Sequence, residues 1–499
     1  MAQTYFDEGL ILTFGFNHAE AIRSYKDALK LDPNCAMCYW GIAYALGPNI
    51  NAPQMDPTAV QPAWDALQMA IKLAPQASQA EQDYIKALSA RYSDDPNADH
   101  ALLDKAYADA MRQLAQTYPD DTDAGALFAE AMMDVTPWNY WTKDGKPTEY
   151  TDEIIRTLEA VLQRDPNNPA ANHFYIHVTE GSPNPDRAVP SADRLTYLVP
   201  GAGHLVHMPG HIYWRVGRYH DVITANEHAI HDDESYIIDR GAQGMYAVGY
   251  YPHNIHFLSC AAQMLGESAL AIESARKVAE KIPTEVGIAV PLLQNFSAIP
   301  YFALVRFGHW DEILAEPQPD ERLQYATGMW HWARGMALVA TGKANEAQTE
   351  YDALMKLADL DEMKNMVILG FTTGANNLQM AGHILAADLA GAQGDSDKQS
   401  VELERAVEAE DALPYVEPPA WYIPTRDLLG AALLKAGRAA DAEAVYRQDL
   451  QQYRNSGWAL FGLMQSLAAQ NKTAEAAEVE QQFKAAWQDA DVPLTASRF

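Results

Sequence analysis

The sequence predicts an all-α fold built of tandem helix–turn–helix repeats, and three recurring features support this prediction. Glycines follow apolar helical stretches through the second half of the chain, at Gly217, Gly266, Gly308, Gly342, Gly394 and Gly437. A small or aliphatic residue stands five positions after each glycine, with Gln399 as the exception. Prolines such as Pro33, Pro75 and Pro166 close several units, because proline cannot continue the preceding helix. Two helices joined by a tight turn are therefore the expected unit.

The first helix pair shows how one unit is arranged. Gly9, Ala21, Ala28 and Pro33 occupy positions 8, 20, 27 and 32 of a 34-residue unit, and Tyr25 occupies position 24. Small residues let two helices approach closely, and large ones fill the gap between them. This arrangement resembles the tetratricopeptide repeat, and about ten such units would cover most of the chain. The resemblance implies a right-handed superhelix, an α-solenoid, in which each helix pair buries its face against the next.

Four inserted segments interrupt the repeats, at residues 47–60, 136–151, 236–251 and 414–422. They are rich in Trp, Tyr, Pro and Asn, which suits ordered loops better than flexible linkers. We expect these aromatic insertions to cap the concave groove. We divide the chain into N-terminal repeats with two insertions (1–168), a histidine-rich central section that holds the metal or active site (169–293), and C-terminal repeats (294–499).

The charge balance limits the classes of partner. The chain has 36 Lys and Arg against 67 Asp and Glu, a formal charge of −31, so we expect no nucleic-acid binding. Hydrophobic residues make up 48% of the chain, which excludes disorder of the whole. We expect no membrane span, because no apolar window of about 18 residues occurs. Asp7 and Glu8 stand where a signal peptide needs positive charge, so the expected compartment is the cytoplasm.

The chain has three cysteines, Cys35, Cys38 and Cys260, which rules out a scaffold that depends on many disulfides. Cys35 and Cys38 form a single CxxC. A redox role is one interpretation, but the helical pattern around the pair is not the strand-to-helix turn of a thioredoxin motif. The favoured interpretation is two small side chains packed in a helix.

Histidines are concentrated in one section of the chain. Ten of the 15 lie between His173 and His256, and seven form three clusters of the types HxxxH, HxxHxxxH and HxxH. At helical spacing, the members of each cluster share one face of a helix. The three clusters predict a metal site whose ligands are His173, His177, His204, His207, His211, His253 and His256.

The repeat frame places these histidines at equivalent positions. In units that begin at Pro169, Gly203 and Pro252, His173, His207 and His256 all occupy position 5. The remaining four cluster histidines fall at positions 2 and 9, and Cys260 is also at position 9. The resemblance implies that positions 2, 5 and 9 line the concave groove, so the imidazoles would converge on one cavity.

A site dominated by imidazole favours copper, with iron or zinc as alternatives, because imidazole binds all three metals. Glu180 is on the groove side and is the candidate base, outer-sphere acceptor or ligand. Arg215 is the candidate group for holding an anion or carbonyl. Aromatic residues near the clusters are expected to wall a substrate pocket, although each would also suit the core: Trp138, Tyr140, Trp141, Tyr213, Trp214, Tyr250 and Tyr251.

These features predict a metal-dependent oxidoreductase that acts on a small aromatic, phenolic or other organic substrate. A zinc-dependent hydrolase is one alternative. A second alternative is a non-enzymatic adaptor whose groove holds a peptide or protein partner. In two further alternatives the histidines serve a cofactor-free groove or only pack. Lys and Arg, which clamp peptide carboxylates, are scarce at positions 2, 5 and 9, so a small molecule is the favoured partner.

Longer strings resemble a group of bacterial and fungal tetratricopeptide-repeat proteins with a histidine-rich central section. The strings are CAMCYWGIAYALGPNINAP (35–53), NHFYIHVTE (172–180), GHLVHMPGHIYWRVGRY (203–219) and EPPAWYIPTRDLLGAALLKAGR (417–438). Members of this group often begin with an export signal. The resemblance therefore implies a periplasmic or secreted protein as the alternative to a cytoplasmic one.

Overall fold

The computed structural model describes residues 1–95, 98–241, 246–368 and 372–499, and in these ranges the chain is all-α, as predicted. The α-helices are α1 (Ala2–Phe14), α2 (His18–Leu31), α3 (Ala36–Ala45), α4 (Val60–Leu73), α5 (Gln79–Ser89), α6 (His100–Thr117), α7 (Thr122–Val135), α8 (Thr151–Arg164), α9 (Pro169–Glu180), α10 (Val189–Leu198), α11 (Gly203–His207), α12 (Pro209–Val216), α13 (Tyr219–Arg240), α14 (Tyr251–Leu265), α15 (Ser268–Glu280), α16 (Thr284–Ala289), α17 (Gln294–Arg306), α18 (Trp310–Ala315), α19 (Gln324–Ala340), α20 (Ala344–Ala358), α21 (Asp361–Asn365), α22 (Gly374–Ala392), α23 (Ser396–Ala412), α24 (Thr425–Lys435), α25 (Ala439–Gln452), α26 (Gly457–Ala469) and α27 (Thr473–Ala486). Short 3₁₀ turns cover Ala74–Gln76, Pro185–Ala188 and Pro291–Leu293, and a π-helical turn covers Tyr246–Tyr250. Two short antiparallel strands, β1 (Val367–Ile368) and β2 (Thr372–Thr373), pair Val367 with Thr373.

The chain forms two compact units. Unit 1 comprises Met1–Ile212 and His231–Asp239, and unit 2 comprises Tyr213–Ile230 and Arg240–Phe499. In each unit consecutive helices pack on one another, as α1 does on α2, α6 on α7, α14 on α15 and α22 on α23. The division into residues 1–168, 169–293 and 294–499 stays a prediction.

Helix pairing depends on the small-to-large scheme of the sequence. Tyr25 of α2 is fully buried, and a Cβ added at Gly9 of α1 would lie 2.7 Å from its ring. A Cβ at Gly41 of α3 would overlap the same ring. Tyr446 of α25 is held in the same way between Gly430 of α24 and Gly462 of α26. The sequence prediction that glycine makes room for tyrosine between the helices is confirmed at both ends of the chain.

The predicted glycine turns are also confirmed. Gly217, Gly266, Gly308, Gly342, Gly394 and Gly437 all have φ between 68° and 80°, in the left-handed region that residues with a Cβ avoid. The chain reverses at these points because glycine reaches this region without steric cost, which lets the second helix of each pair begin at once.

The insertions are ordered where the structure describes them. Between α7 and α8, the indole Nε1 of Trp141 donates to the backbone oxygen of Val178 in α9 at 2.6 Å. In unit 2, Trp421 is fully buried, with its ring centroid 4.8 Å from that of Phe302 and 5.2 Å from that of Trp332. Residues 242–245 of the third predicted insertion lie outside the described residues. No helix in the described ranges is both long and apolar enough to cross a membrane.

The structure corrects the interpretation of the CxxC as two packed thiols. Cys35 and Cys38 are joined by a disulfide at the start of α3. Cys35 caps this helix, and its Sγ accepts a hydrogen bond from the backbone N–H of Cys38 at 3.0 Å. The sequence pattern predicted the helix, but the sulfur–sulfur bond depends on how the chain enters that helix. Cys260 is the remaining thiol and is buried.

We expect alkylation to distinguish the two states of this pair. If the chain is unfolded without reductant, one cysteine, Cys260, should react with iodoacetamide, because the other two are disulfide-bonded. After reduction all three cysteines should react. Intact mass spectrometry measures the number of added groups. Three additions without reductant, in protein kept from reducing agents throughout, would contradict the disulfide.

Candidate metal centre

Helix α9 holds the first part of the site in a fully buried position. Asn168 caps this helix, accepting the backbone N–H of Ala171 at 2.8 Å, and Pro169 starts the first turn. Every residue from 170 to 180 is buried. His173, His177 and Glu180 share one face because their spacing is i, i+4 and i+7. Burying three polar groups on one face is costly unless each has a partner.

Helices α11 and α12 supply three further imidazoles to unit 1. His204, His207 and His211 are all buried. The Nε2 atoms of His207 and His211 lie 2.9 Å apart. One ring nitrogen from each of His173, His177 and His204 lies within 4.8 Å of the others. The structure therefore brings together the five predicted histidine ligands that belong to unit 1.

Hydrogen bonds fix the orientation of two of these rings. The Nδ1–H of His173 donates to the backbone oxygen of Phe14 at 2.7 Å, because a carbonyl oxygen can only accept. His177 Nδ1 lies 3.3 Å from Glu180 Oε1. The Nε2 atoms of His173 and His177 are buried and have no hydrogen-bond partner in the described part of the chain. Metal-binding histidines are typically held in this way, with one nitrogen anchored and the other left for the ion.

Burial sets the protonation state of the histidines. Burial, with a further contribution from His177, lowers the pKa of His173 well below its usual value. Burial also lowers the pKa of His204 far below normal and lowers that of His177. The three imidazoles are therefore neutral at pH 7, which is the form that coordinates metal ions.

Glu180 is the charged group of the cluster. Its Oε2 lies 2.7 Å from His211 Nδ1, and its Oε1 contacts His177. Burial by itself would raise the pKa of Glu180, but the two histidines outweigh burial and lower it to about 2. Glu180 is thus a carboxylate that accepts from two imidazoles and orients their rings.

Two aromatic side chains cover the cluster from strained backbone positions. Phe16 has φ 55° and Trp138 has φ 61°, values that are rare for bulky residues. The Phe16 ring centroid lies 4.9 Å from that of His173 and 5.5 Å from that of His204. The Trp138 ring meets the ring of His177 at 5.1 Å, edge to face. Strain of this kind persists where the surrounding structure enforces it, frequently at functional sites.

The predicted pocket residues of unit 1 take different roles. Trp138 contacts the histidine cluster, whereas Tyr140 is buried with its hydroxyl 3.5 Å from the backbone oxygen of Met133. Trp141 is anchored to the backbone of α9 through its indole nitrogen. The loop between α7 and α8 is therefore fixed by its own aromatic residues, and Trp138 is the member that reaches the imidazoles.

A second buried polar group in unit 1 was missed by sequence reasoning. Arg91 follows α5, is 2% exposed, and pairs with Asp134 of α7 and, at 3.3 Å, with Asp104 of α6. Glu130 is one turn before Asp134 and is also buried. Burial raises the pKa of Asp134 well above normal, and neighbouring Glu130 raises it further. The guanidinium lies 4.9 Å above the Tyr107 ring. One buried cation thus pairs with two acids and lies near a third.

The other predicted site residues belong to unit 2. Arg215 lies over the Tyr415 ring at 5.1 Å, and His253 contacts Phe257 edge to face at 5.1 Å. The remaining aromatic candidates pack against groups of the same unit: Tyr213 under Arg218, Trp214 against Tyr219 and Tyr453, Tyr250 beside Tyr246, and Tyr251 under Lys281. Trp214 is 3% exposed, which agrees with the core role that the sequence left open.

His256 lies among aromatic rings. Its ring centroid is 5.0 Å from that of Tyr422 and 6.0 Å from that of Phe296, and neither ring nitrogen has a hydrogen-bond partner in the described ranges. It belongs to none of the groups of three metal-binding side chains found among the described residues. Burial lowers its pKa to about 3.

Replacing His256 with leucine is expected to make the protein less sensitive to acid. In the folded protein the pKa of His256 lies below the usual 6.5. The buried neutral imidazole therefore makes its full contribution to the unfolding free energy above pH 6.5, and this contribution is lost as pH falls toward 3. When the pH is lowered from 7.5 to 5, the unfolding free energy of the native chain should fall by about 2 kcal/mol more than that of His256→Leu. The difference grows by about 1.4 kcal/mol for each pH unit below about 6.5. Denaturant unfolding at both pH values measures this. A lower metal content in His256→Leu would instead support the sequence-based ligand assignment.

Sequence reasoning missed the groups that orient and cover the ring of His173. The backbone oxygen of Phe14 and the ring of Phe16 come from the turn after α1, far from α9 in the sequence. No local pattern marks either of them. For Glu130 and Asp134, the spacing of two acids one turn apart in the otherwise apolar part of α7 after Asp123 was a usable signal.

Comparison with known proteins supports the repeat at the start of the chain. The tetratricopeptide repeat family profile matches residues 2–35. A search of curated proteins found no match. The fold is similar to that of human IFIT1 in a dimer with m7Gppp-AAAA, at 13% identity over 90% of each chain and a TM-score of 0.35. It is also similar to the APC/C hetero-tetramer Cut9–Hcn1, at 11% identity over 98% of this chain and 94% of that chain, with a TM-score of 0.27.

The tetratricopeptide repeat domain of P58(IPK) is a third similar structure, at 10% identity over 95% of this chain and 99% of that chain, with a TM-score of 0.24. The family profile covers the segment in which Gly9, Ala21, Ala28 and Pro33 predicted the repeat. The chain therefore carries a tetratricopeptide repeat in its first helix pair.

Proposed function

We propose that unit 1 binds a transition-metal ion through Nε2 of His173, Nε2 of His177 and a ring nitrogen of His204. One observation carries the proposal. Among the described residues, Nε2 of His173 and Nε2 of His177 are buried without a hydrogen-bond partner, and the Nδ1 atoms of the same rings are anchored on Phe14 and Glu180. One ring nitrogen from each of His173, His177 and His204 lies within 4.8 Å of the others. Leaving buried polar atoms unpaired costs about 1–3 kcal/mol each, and coordination of an ion would remove that cost.

His207 and His211 extend the proposed centre. Two imidazole nitrogens 2.9 Å apart can share one proton or coordinate one ion. His211 also holds Glu180, which in turn holds His177. We assign Glu180 a positioning role and keep His207 and His211 as candidate ligands. His253 and His256 stay predictions from the sequence.

A set of neutral imidazoles favours copper, with iron or zinc as alternatives. Bound copper or iron would supply redox chemistry toward a small aromatic or phenolic substrate, and zinc would supply an activated water for hydrolysis. The contribution of the chain itself is orientation and shielding. Phe16 and Trp138 exclude water from the faces of His173 and His177, and Glu180 retains negative charge beside them. The oxidoreductase assignment rests on this ligand set.

Metal content per chain tests the proposal. Protein purified without a histidine tag is stripped with a chelator, reconstituted separately with Cu, Fe, Zn and Mn, desalted, and measured by plasma mass spectrometry. We expect about one or two tightly held equivalents of one metal. Retention of none of the four metals at micromolar affinity would overturn the proposal. Retention of copper or iron directs substrate screening to phenols, and retention of zinc directs it to hydrolysable esters and amides.

Partner binding by the repeat array is the second candidate function. The observation that favours it is the tetratricopeptide repeat at residues 2–35, because stacked repeats of this kind present extended binding surfaces. The two functions do not exclude each other, because the histidine cluster is buried whereas a partner would bind an exposed surface. The expectation that the chain binds no nucleic acid stays a prediction from its charge of −31.

The disulfide bears on the compartment. Disulfides persist in oxidising compartments and are rare in the cytosol. The Cys35–Cys38 bond therefore supports the periplasmic or secreted alternative over the cytoplasmic expectation. Expression with and without an added export signal, followed by the alkylation measurement described above, tests this proposal. Equal disulfide content in both forms would remove the support.

A further inference from the structure

The last residues of the chain lie across unit 2. We call residues 495–499 the C-terminal segment; they follow α27 and have no regular secondary structure. A small cavity of about 20 Å³ lies beside the segment and is lined by Trp310, Trp332, Met336, Ile384 and Leu428, together with Arg498 and Phe499. We call this cavity and the open space next to it the unit 2 groove. The segment thus occupies a surface to which several repeats contribute.

Backbone and hydroxyl contacts hold the first half of the segment. Gln465 Nε2 donates to the backbone oxygen of Thr495 at 3.0 Å. Ser497 is 1% exposed, and its hydroxyl donates to the backbone oxygen of Asp427 at 2.7 Å. The Tyr446 hydroxyl lies 2.6 Å from the same serine oxygen. The side chains of α25 and α26 therefore bind this extended segment much as they would bind a peptide.

Arg498 and Phe499 make the side-chain contacts that give the segment specificity. Both terminal nitrogens of Arg498 pair with the carboxylate of Asp388, one of them at 2.8 Å. A two-pronged pair of this kind selects arginine over lysine. The Phe499 ring meets the ring of Trp458 edge to face at 5.8 Å. A Cβ added at Gly308 would lie 2.8 Å from the Phe499 Cβ, so glycine makes room for the segment.

The contacts resemble those of a ligand more than those of a core segment. Phe499 stays 38% exposed, and beside Arg498 and Phe499 an open cavity of about 590 Å³ continues along the groove. Trp332, Ile384 and Asp427 occupy position 5 of repeat units that begin at Gly328, Met380 and Ile423, the position expected on the inner face. The segment thus takes the place where repeat proteins of this type would hold a partner.

Charge complements the segment. Asp388 lines the open cavity beside the segment and pairs with Arg498. Asp427, whose backbone oxygen accepts from Ser497, is buried and pairs with Arg306 at 2.8 Å. Arg498 neutralises Asp388. A partner that replaced the segment would have to bring an equivalent cation, because an unpaired carboxylate left in this partly desolvated groove is costly. An aromatic residue next to that cation would fill the place of Phe499.

We propose that residues 495–499 are an internal ligand of the unit 2 groove, and that an extended segment of another protein with arginine followed by an aromatic residue binds there when they are displaced. This inference deepens the partner-binding candidate function and is independent of the metal proposal. Because the segment belongs to the same chain as the groove, it competes at an effective concentration in the millimolar range. It therefore suppresses binding of the same sequence on a separate molecule.

Fluorescence anisotropy with a labelled peptide of residues 494–499 tests the proposal. Three forms of the protein are compared: the native chain, the chain without residues 497–499, and the double variant Arg498→Ala with Phe499→Ala. We expect the two altered chains to bind the peptide at least about tenfold more tightly than the native chain, because the competing segment is lost. A matched peptide carrying Arg498→Glu and Phe499→Ala should not bind.

Groove variants made in the chain without residues 497–499 locate the binding. Asp388→Asn should weaken peptide binding at least about tenfold, and the exposed Asp352→Asn on α20 is the matched control that should not. Equal binding by the native and shortened chains, or no binding by a folded shortened chain, would overturn the proposal. A large loss of helical circular dichroism in both altered chains would overturn it too, because the segment would then be structural. Metal content, measured in parallel, reports on the other proposal separately.

Discussion

His173→Ala and His177→Ala are each expected to reduce retained metal from about one ion per chain to background, with an affinity loss of more than about 100-fold. Each substitution removes one of the three nitrogens that lie within 4.8 Å of one another. Two remaining imidazoles bind an ion far more weakly than three. The helical circular dichroism should change little, because alanine favours the helix and α9 keeps its cap at Asn168.

The matched control for these variants is His228→Ala. His228 lies on α13 and is exposed. Replacing it with alanine removes one histidine, as each of the two α9 substitutions does. Metal content and circular dichroism are measured on all three variants after identical reconstitution. Full retention in both α9 variants would show that these imidazoles are not ligands. His207→Ala and His211→Ala are expected to lose metal as well, and retention in both would restrict the centre to His173, His177 and His204.

Arg91→Met is expected to lower the unfolding free energy of the protein by about 3–5 kcal/mol at pH 8. Arg91 is the cation that pairs with Asp134 and Asp104 and lies near Glu130 in the interior of unit 1. Methionine keeps the length of the side chain but leaves the buried acids without a positive partner. Such acids must take up protons to stay buried, which opposes folding at high pH.

The sign of the pH dependence follows from this argument. The folded-state pKa of Asp134 already lies above its usual value because of burial and Glu130. Removing Arg91 raises it further, so the folded state of the variant binds more protons than its unfolded state. Stability lost at pH 8 should therefore be partly recovered at pH 5.

Denaturant unfolding at pH 8 and pH 5 measures both effects, and a second substitution provides the control. Arg91→Met combined with Asp134→Asn should be more stable at pH 8 than Arg91→Met alone, because one buried acid is removed. An unfolding free energy for Arg91→Met within 1 kcal/mol of the native protein would show that the ion pairs contribute no net stability. A larger loss at pH 5 than at pH 8 would contradict the assignment of charge to the acids.

The sequence alone determined the fold class and much of one cluster. Glycines that need a left-handed backbone and small residues that face tyrosine recur at fixed spacing, so local chemistry reports the repeat directly. Histidines at i and i+4 on α9 had to share a helix face, because the helix has only one geometry. The CxxC was different, since the same spacing suits free thiols and a disulfide, and the entry of the chain into α3 decides between them.

Tertiary structure alone decided which imidazole nitrogens are anchored by hydrogen bonds and which aromatic rings shield the imidazoles. The backbone oxygen of Phe14 and the ring of Phe16 reach His173 from more than 150 residues earlier in the sequence, at a separation of 159 residues for the hydrogen bond. Arg91 meets Asp134 from a different helix pair, and Arg498 meets Asp388 across 110 residues. Helical periodicity acts over a few turns, whereas these contacts depend on how successive pairs stack. The chain therefore encodes its repeats locally and completes its buried polar sites only when the repeats have packed.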